Sequence, residues 1–284
     1  VRIDLHSHST ASDGTDSPSE IVRRASEAGL DVLALTDHDT TAGWDEAVAA
    51  IPSGLHLVRG MEMSCTGRGE DGLPVAVHLL AYLFDPEDPA FIVELDRLRG
   101  ERVSRIRAMA ERMAADGLPI DADAVLAQAG PAAGRPHLAR ALVDAGVVDT
   151  VGEAFTDLLS PRGRYYVSKV DTPLTDAVQM VNAAGGVTVI AHARARARGR
   201  LLALDQIEEL AEIGLGGVEA DHPDHSAADA QSMRDLGERL GLFVTGSSDY
   251  HGRNKDVALG RFTTDPGAYE ALLDRAKGVE VVAG

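Results

Sequence analysis

Seven short apolar runs recur along the chain, separated for the most part by amphipathic, helix-like segments, and each run ends at or near a histidine or a carboxylate. The runs read as strands are 2–8, 31–36, 56–61, 75–82, 186–191, 217–221 and 242–246. Strands that alternate with helices pack as β/α units around a parallel sheet or barrel, so the expected class is α/β. The first connecting helix has clear punctuation: Ser17 as N-cap, Pro18 at the first helical position, Glu20 completing a capping box, apolar Ile21, Val22, Ala25 and Ala28, and Gly29 as terminator. In a barrel of parallel strands the carboxyl ends share one face, the face on which such folds build their sites.

At those ends stand, in order, His6 and His8, His38, Glu62, His78, His192, His222, and then Asp249 with His251; Asp13 follows the first pair in an SDG turn. Strand alternation puts Asp4, His6 and His8 on one side of the first run and Ile3, Leu5 and Ser7 on the other. A single histidine at a strand end is ordinarily a hydrogen-bonded ring, and Asp13 alone is a turn residue. A whole rim of such residues is different, because burying them without an ion leaves unpaired polar groups at about 1–3 kcal/mol each.

Composition narrows the ion. The 284-residue chain has one cysteine, Cys65, which leaves no disulfide framework and no thiolate zinc site. Imidazole and carboxylate without thiolate suit Mn, Zn or Fe, and the number of candidate ligands predicts two or three divalent ions with Glu62 bridging a pair. A formal net charge of −18 disfavours duplex DNA, so a phosphate ligand would have to be held by ions and a local cluster of cations. No basic-then-apolar leader or long uncharged apolar run stands in the sequence, and the expectation is a cytoplasmic protein with no membrane partner.

Between about residues 91 and 159 the strand rhythm gives way to helical patterns. The expected organisation is a barrel of residues 1–90 and 170–284, with a helical insertion at 91–169 lying over the metal face. In this insertion GRPHLARAL sets Arg135 and His137 at a helix start, where free amides and the dipole favour an anion. SPRGRYYVSKV adds Arg162, Arg164 and Lys169, and HARARARGR adds Arg194, Arg196, Arg198 and Arg200 just after His192. Cations clustered beside an inferred metal centre in an acidic protein read as phosphate recognition.

These motifs resemble those of the PHP family, named for polymerase and histidinol phosphatase: DLHSHSTASDG, LTDHDT, the AH of VIAHA, and GSSDYHG. The resemblance implies a distorted seven-stranded β/α barrel with a di- or trinuclear centre. It implies one ion held by His6, His8, Glu62 and Asp249, a second by Glu62, His78 and His192, and a third by Asp13, His38 and His251. Where the family commonly has proline after the third-motif histidine, this chain has Ala193. The resemblance also points to Arg135, His137, Lys169 and His222 as substrate contacts, with His222 or water as proton donor to the leaving group.

The reaction so implied is metal-assisted hydrolysis of a phosphate ester, without a protein nucleophile. Within the family the likeness is to the branch acting on nucleoside 3′,5′-bisphosphates or the 5′ ends of short RNA, so the expected partner is a small phosphorylated substrate. The alternatives are a histidinol-phosphate phosphatase, a proofreading nuclease such as accompanies polymerases, and, from another class, a metal-stabilised binding module without turnover.

Overall fold

The computed structural model describes residues 1–129, 133–161 and 163–284. Seven strands hydrogen-bond in sequence: β1 (Ile3–Asp4), β2 (Val32–Leu35), β3 (His56–Arg68), β4 (Pro74–Tyr82), β6 (Val187–Ile190), β7 (Gly217–Asp221) and β8 (Phe243–Gly246). Two short strands, β5 (Thr172–Pro173) and β9 (Val282–Ala283), flank β3. Beyond β1 and β8 the chain ends meet through a Ser7–Tyr250 bridge, where the His8 amide donates to the Tyr250 carbonyl at 2.8 Å. The sheet therefore closes almost completely into a barrel.

One expectation is corrected. The strands are not all parallel, because β4 runs antiparallel to both β3 and β6. β3 and β4 form a long hairpin closed by a turn at Gly69, whose amide donates to the Leu73 carbonyl at 2.7 Å, and Gly72 supplies the positive φ of 77°. An apolar run buried on both faces looks the same in either direction, and the turn chemistry of GRGEDG was the signal that distinguishes them.

Alternation along the strands builds two cores. Ile3, Val32, Ala34, Val58, Leu80, Tyr82, Val187 and Val189 fill the barrel interior. Leu33, Leu35, Leu57, Met61, Met63, Leu79, Ala81 and Ile190 face outward against helices. Among those helices, α1 (Pro18–Glu27) has the expected capping box between Ser17 and Glu20, buries Ile21, Val22 and Ala25, and is followed by Gly29 at φ 73°.

A third core belongs to the helical segment. It joins Ile106, Met109 and Met113 of α3 (Pro89–Ala115) to Val125 of α4 (Ala122–Ala129), Leu138 and Leu142 of α5 (Arg135–Asp144), and Ala154 of α6 (Val151–Asp157). The 27-residue α3 serves two cores, since Phe91, Leu95 and Leu98 pack with the barrel helices. Between its two apolar halves Arg102, 7% exposed, ion-pairs with Asp39 and donates to the Ser64 hydroxyl at 2.7 Å. That contact ties the helical segment to the barrel rim. No helix among the described residues is long and apolar enough to cross a membrane.

Candidate metal centre

Residues scattered from Asp4 to His251 meet at one rim of the barrel. His6 and His8 lie just beyond β1, His38 beyond β2, His192 beyond β6, His222 beyond β7, and Asp249 with His251 beyond β8. Glu62 and His78 depart from the strand-end pattern, for they sit inside β3 and β4, in pairs with Leu80 and Ser64. They still reach the rim because β2 and β3 run in register from Val32–His56 to Leu35–Arg59, and the next bridge is His38–Glu62. The alternation expected for the first run holds only as far as β1, which ends at Asp4. The Asp4 carboxylate does not join the histidines; it accepts the amides of Gly260 at 2.8 Å and Ser248 at 3.0 Å.

Glu62 is the hub. Its Oε1 lies 2.7 Å from His78 Nδ1 and 2.9 Å from His192 Nε2. Its Oε2 lies 3.2 Å from His6 Nε2, 3.1 Å from His8 Nε2 and 3.2 Å from His38 Nδ1. Asp249 Oδ1 is 3.4 Å from His6, His8 and His251, and Asp13 stands 3.3 Å from His251 Nε2 and 3.6 Å from His38 Nε2. Four sets among the described residues have all their donor atoms within 4.8 Å of one another; His6, Glu219 and His222 form one, and three match the expected ligands: first His6, His8, Glu62 and Asp249, second His8, Asp13, His38 and His251, third His38, Glu62 and His78. The first is the grouping implied by the family motifs. The second adds His8 to the implied trio, and the third has His38 beside Glu62 and His78 in the place expected for His192.

This donor set fits divalent ions. His6 Nε2 and His8 Nε2 face each other at 3.0 Å, which two lone pairs do not tolerate without a proton or cation between them. His38 Nδ1 is buried and, although Glu62 Oε2 stands 3.2 Å away, makes no hydrogen bond among the described residues. The acids stay anionic: burial opposes ionisation of Glu62, but His78, His38 and His6 hold it well below the usual carboxylate range. For Asp249 burial is likewise outweighed, by Lys255, His6 and His251. Burial pushes His38 and His192 well below the imidazole range, leaving lone pairs available to a cation.

The backbone is strained at the same place. Non-glycine residues with positive φ among those described are Asp39 (50°), His192 (30°), Asp249 (49°) and Leu83 (54°), and the first three lie at or beside the rim. Such conformations cost about 1–3 kcal/mol each and persist where surrounding bonds over-determine them.

Several functional residues escape sequence reasoning. Glu219 of β7 is fully buried against His6 and His192, and its only signal was an acid in the middle of the apolar run GGVEAD. Asp37 accepts the Ser9 amide at 2.8 Å and the Ser9 and Ser12 hydroxyls, pinning the loop that carries Asp13. Lys255 contacts Asp249 Oδ2, as does Arg198, which the sequence did single out as a cation after His192 and which also lies 2.9 Å from His192 Nε2.

Above the rim lies a cavity of about 830 Å³ whose walls include His38, His78, His192 and His251 from the barrel and Arg102, Arg105, Arg135, Phe155 and Lys169 from the helical segment. Arg135 donates to the Leu159 carbonyl at 3.1 Å and lies over the rings of Phe155 and Tyr166; Arg105 donates to the Val167 carbonyl at 2.8 Å and lies over Tyr166. Among the described residues neither has a carboxylate partner, and burial brings Arg135 down to about 10. Lys169 is paired with Asp171. His137 stands beside the cavity wall: its Nδ1 accepts the Gly134 amide at 3.2 Å, and the ring also hydrogen-bonds the Ser12 backbone.

The structure does not bring every expected cation to the cavity. Arg194 turns away, donating to the Leu202 carbonyl at 2.9 Å and pairing with Glu70. Arg196 pairs with Asp229, Arg164 with Asp116 and Arg200 with Asp71; of these three only Arg200 lines the cavity. Arg162 lies outside the described residues. His222 is 1% exposed and behind the wall: its Nδ1 accepts the Asp224 amide at 3.0 Å, and Nε2 lies 3.0 Å from Asp249 Oδ2.

The PHP domain family matches residues 4–122. A 3′,5′-nucleoside bisphosphate phosphatase of Chromobacterium violaceum is 35% identical over 255 residues, 88% of this chain and 87% of that protein. A phosphoribosyl 1,2-cyclic phosphate 1,2-diphosphodiesterase of Eggerthella lenta is 33% identical over 260 residues, 88% of this chain and 94% of that protein. A crystal structure from Bifidobacterium adolescentis, assigned as a metal-dependent phosphoesterase, superposes with a TM-score of 0.89 at 37% identity, covering 98% of this chain and 96% of that one.

Proposed function

The chain belongs to the PHP family and is a metal-dependent phosphoesterase, and on that premise we propose that it removes the 3′-phosphate from nucleoside 3′,5′-bisphosphates. The observation that carries this reading is the pair Arg105 and Arg135, half-buried in the cavity roof with carbonyls and aromatic faces and, among the described residues, no carboxylate as partners. A substrate that places one phosphate on the metal nest and a second on this pair uses both ends of the cavity. Between them Ile106, Val151 and Phe155 give apolar wall for a nucleoside.

In this reading His6, His8, Glu62 and Asp249 hold one ion, Glu62, His78 and His192 a second, and Asp13, His38 and His251 a third. Bound divalent ions supply charge neutralisation at the phosphoryl oxygens and acidify an attacking water. The chain itself does the positioning. Glu62 turns one oxygen to each half of the nest, while Arg198 and Lys255, on the wall beside Asp249, neutralise charge that grows on phosphate oxygens. His222, with Nδ1 accepting an amide, carries its neutral-ring proton on Nε2 and orients Asp249 with it. Lys169 and the amino end of α5 face the same cavity as further anion donors. The Cys65 thiol takes no part as a nucleophile: it is buried and donates to the Met63 carbonyl at 3.6 Å.

A side-by-side substrate panel tests this. Adenosine 3′,5′-bisphosphate should exceed histidinol phosphate in kcat/KM by about 10- to 100-fold, the worth of charged hydrogen bonds to the second phosphate. A 5′-phosphorylated oligoribonucleotide tests the extension to RNA ends. Preference for histidinol phosphate or for a ribosyl 1,2-cyclic phosphate would overturn the bisphosphate reading.

A further inference from the structure

We propose that Glu219 is a positioning residue of the metal centre, which keeps the His6 proton on Nδ1 and anchors the strained His192 backbone, so that His6 Nε2 is bare toward the nest. The inference rests on the reading of the nest as a metal site.

Glu219 is fully buried in the middle of β7, where a carboxylate is costly unless its lone pairs are used. They are used by three different elements. Oε1 faces His6 Nδ1 at 3.2 Å and accepts the Ser247 hydroxyl; Oε2 accepts the His192 amide at 2.8 Å. An ionised carboxylate only accepts, so the His6 nitrogen that faces it must bear the proton. In the neutral ring, the form that ligates a metal, the other nitrogen is then a free donor to a cation. That atom, Nε2, is the one 3.2 Å from Glu62 and 3.4 Å from Asp249. The His192 amide held by Glu219 belongs to a residue at φ 30°, so the same carboxylate over-determines a conformation that would otherwise relax.

Glu219 could instead be a ligand itself, since His6, Glu219 and His222 also present donor atoms within 4.8 Å of one another. Its hydrogen bonds argue otherwise, because both oxygens already accept protons from groups that are not metals. A carboxylate behind a ligating histidine fixes the tautomer of the ring and raises its basicity.

The experiment is a titration of metal-free protein with Zn²⁺ or Mn²⁺ against a chromophoric chelator, in wild type, Glu219→Gln and Ser247→Ala. Glutamine can still accept the His192 amide, but its NH2 cannot accept from His6, so the ring must move its proton to Nε2. Glu219→Gln should bind the ion about 10- to 100-fold more weakly, with the unfolding midpoint of the metal-free protein little changed. Ser247→Ala keeps the carboxylate and should bind close to wild type. Equal affinity in Glu219→Gln and wild type would overturn the role of Glu219 alone, whereas a wild type that binds neither ion tightly would overturn the metal reading with it. Should Glu219→Gln not fold, ¹⁵N spectra of zinc-loaded wild type decide the point, with His6 assigned by its loss in His6→Gln. A proton on Nδ1 supports the proposal and a proton on Nε2 overturns it.

Discussion

Beneath the floor of the cavity Glu62 and Asp249 are buried among imidazoles, whereas on its roof Arg105 and Arg135 are half-buried among carbonyls and aromatic rings. The floor gathers residues from both ends of the chain, from His6 to His251, and the roof comes from one helical stretch between α3 and β5. Each half would be unstable as a pure charge cluster, and each is suited to a ligand of the opposite sign. The floor takes cations, the roof takes anions, and a phosphorylated substrate lies across both. Metal content and substrate affinity should therefore separate under mutation.

The largest effect is expected on the floor. Glu62→Gln or Asp249→Asn should remove bound metal and lower kcat/KM by about 10³-fold or more, several kcal/mol of lost charge stabilisation. Full metal content together with full turnover in either variant would break the division.

Next comes the tie between the halves. Arg102→Met leaves the Asp39 carboxylate buried without its cation, at a cost of about 3–5 kcal/mol in stability by denaturant titration. Burial opposes ionisation of Asp39, but Arg102 and Lys169 hold it well below the carboxylate range. Its folded-state value is thus depressed, so this stabilisation is present above an unfolded value of ~3.9 and is lost as pH falls through the folded one. Wild type should lose more stability on acidification than Arg102→Met, and parallel acid profiles would show that the pair does not tie the halves.

On the roof, Arg135→Ala should lower kcat/KM for a bisphosphate by about 10- to 100-fold with metal content intact, and change little for a monophosphate. Equal losses on both substrates would mean that the roof does not read the second phosphate. The smallest change is at the cavity edge. Arg200→Ala breaks an exposed, solvent-screened pair with Asp71 and should leave the unfolding midpoint close to that of wild type.

Much of the floor was legible because its chemistry is concentrated in side chains that rarely gather by accident. His6, His8, His38 and His192 follow apolar runs, and those runs do become strands β1, β2 and β6 of one sheet. Strand direction was not legible from apolarity, so the antiparallel β4 and the mid-strand places of Glu62 and His78 emerged only in space. The roof was legible as helices and as cations but not as contacts. Arg194 and Arg198 look alike in HARARARGR, yet one pairs with Glu70 and the other with Asp249. Arg105 is one of several arginines along α3, and only its half-buried position against Tyr166 singles it out.

The sequence by itself determined which residues are able to bind cations, where helices begin and stop, and which segments are apolar enough to become strands. Those properties reside in each side chain and its immediate neighbours. Tertiary structure alone decided that the expected bridging Glu62 meets five imidazoles from inside a strand, that Glu219 stands behind His6, and that Arg135 rather than Arg194 faces the cavity. Each of those depends on strand register and loop path, which are set by contacts between residues far apart in the chain.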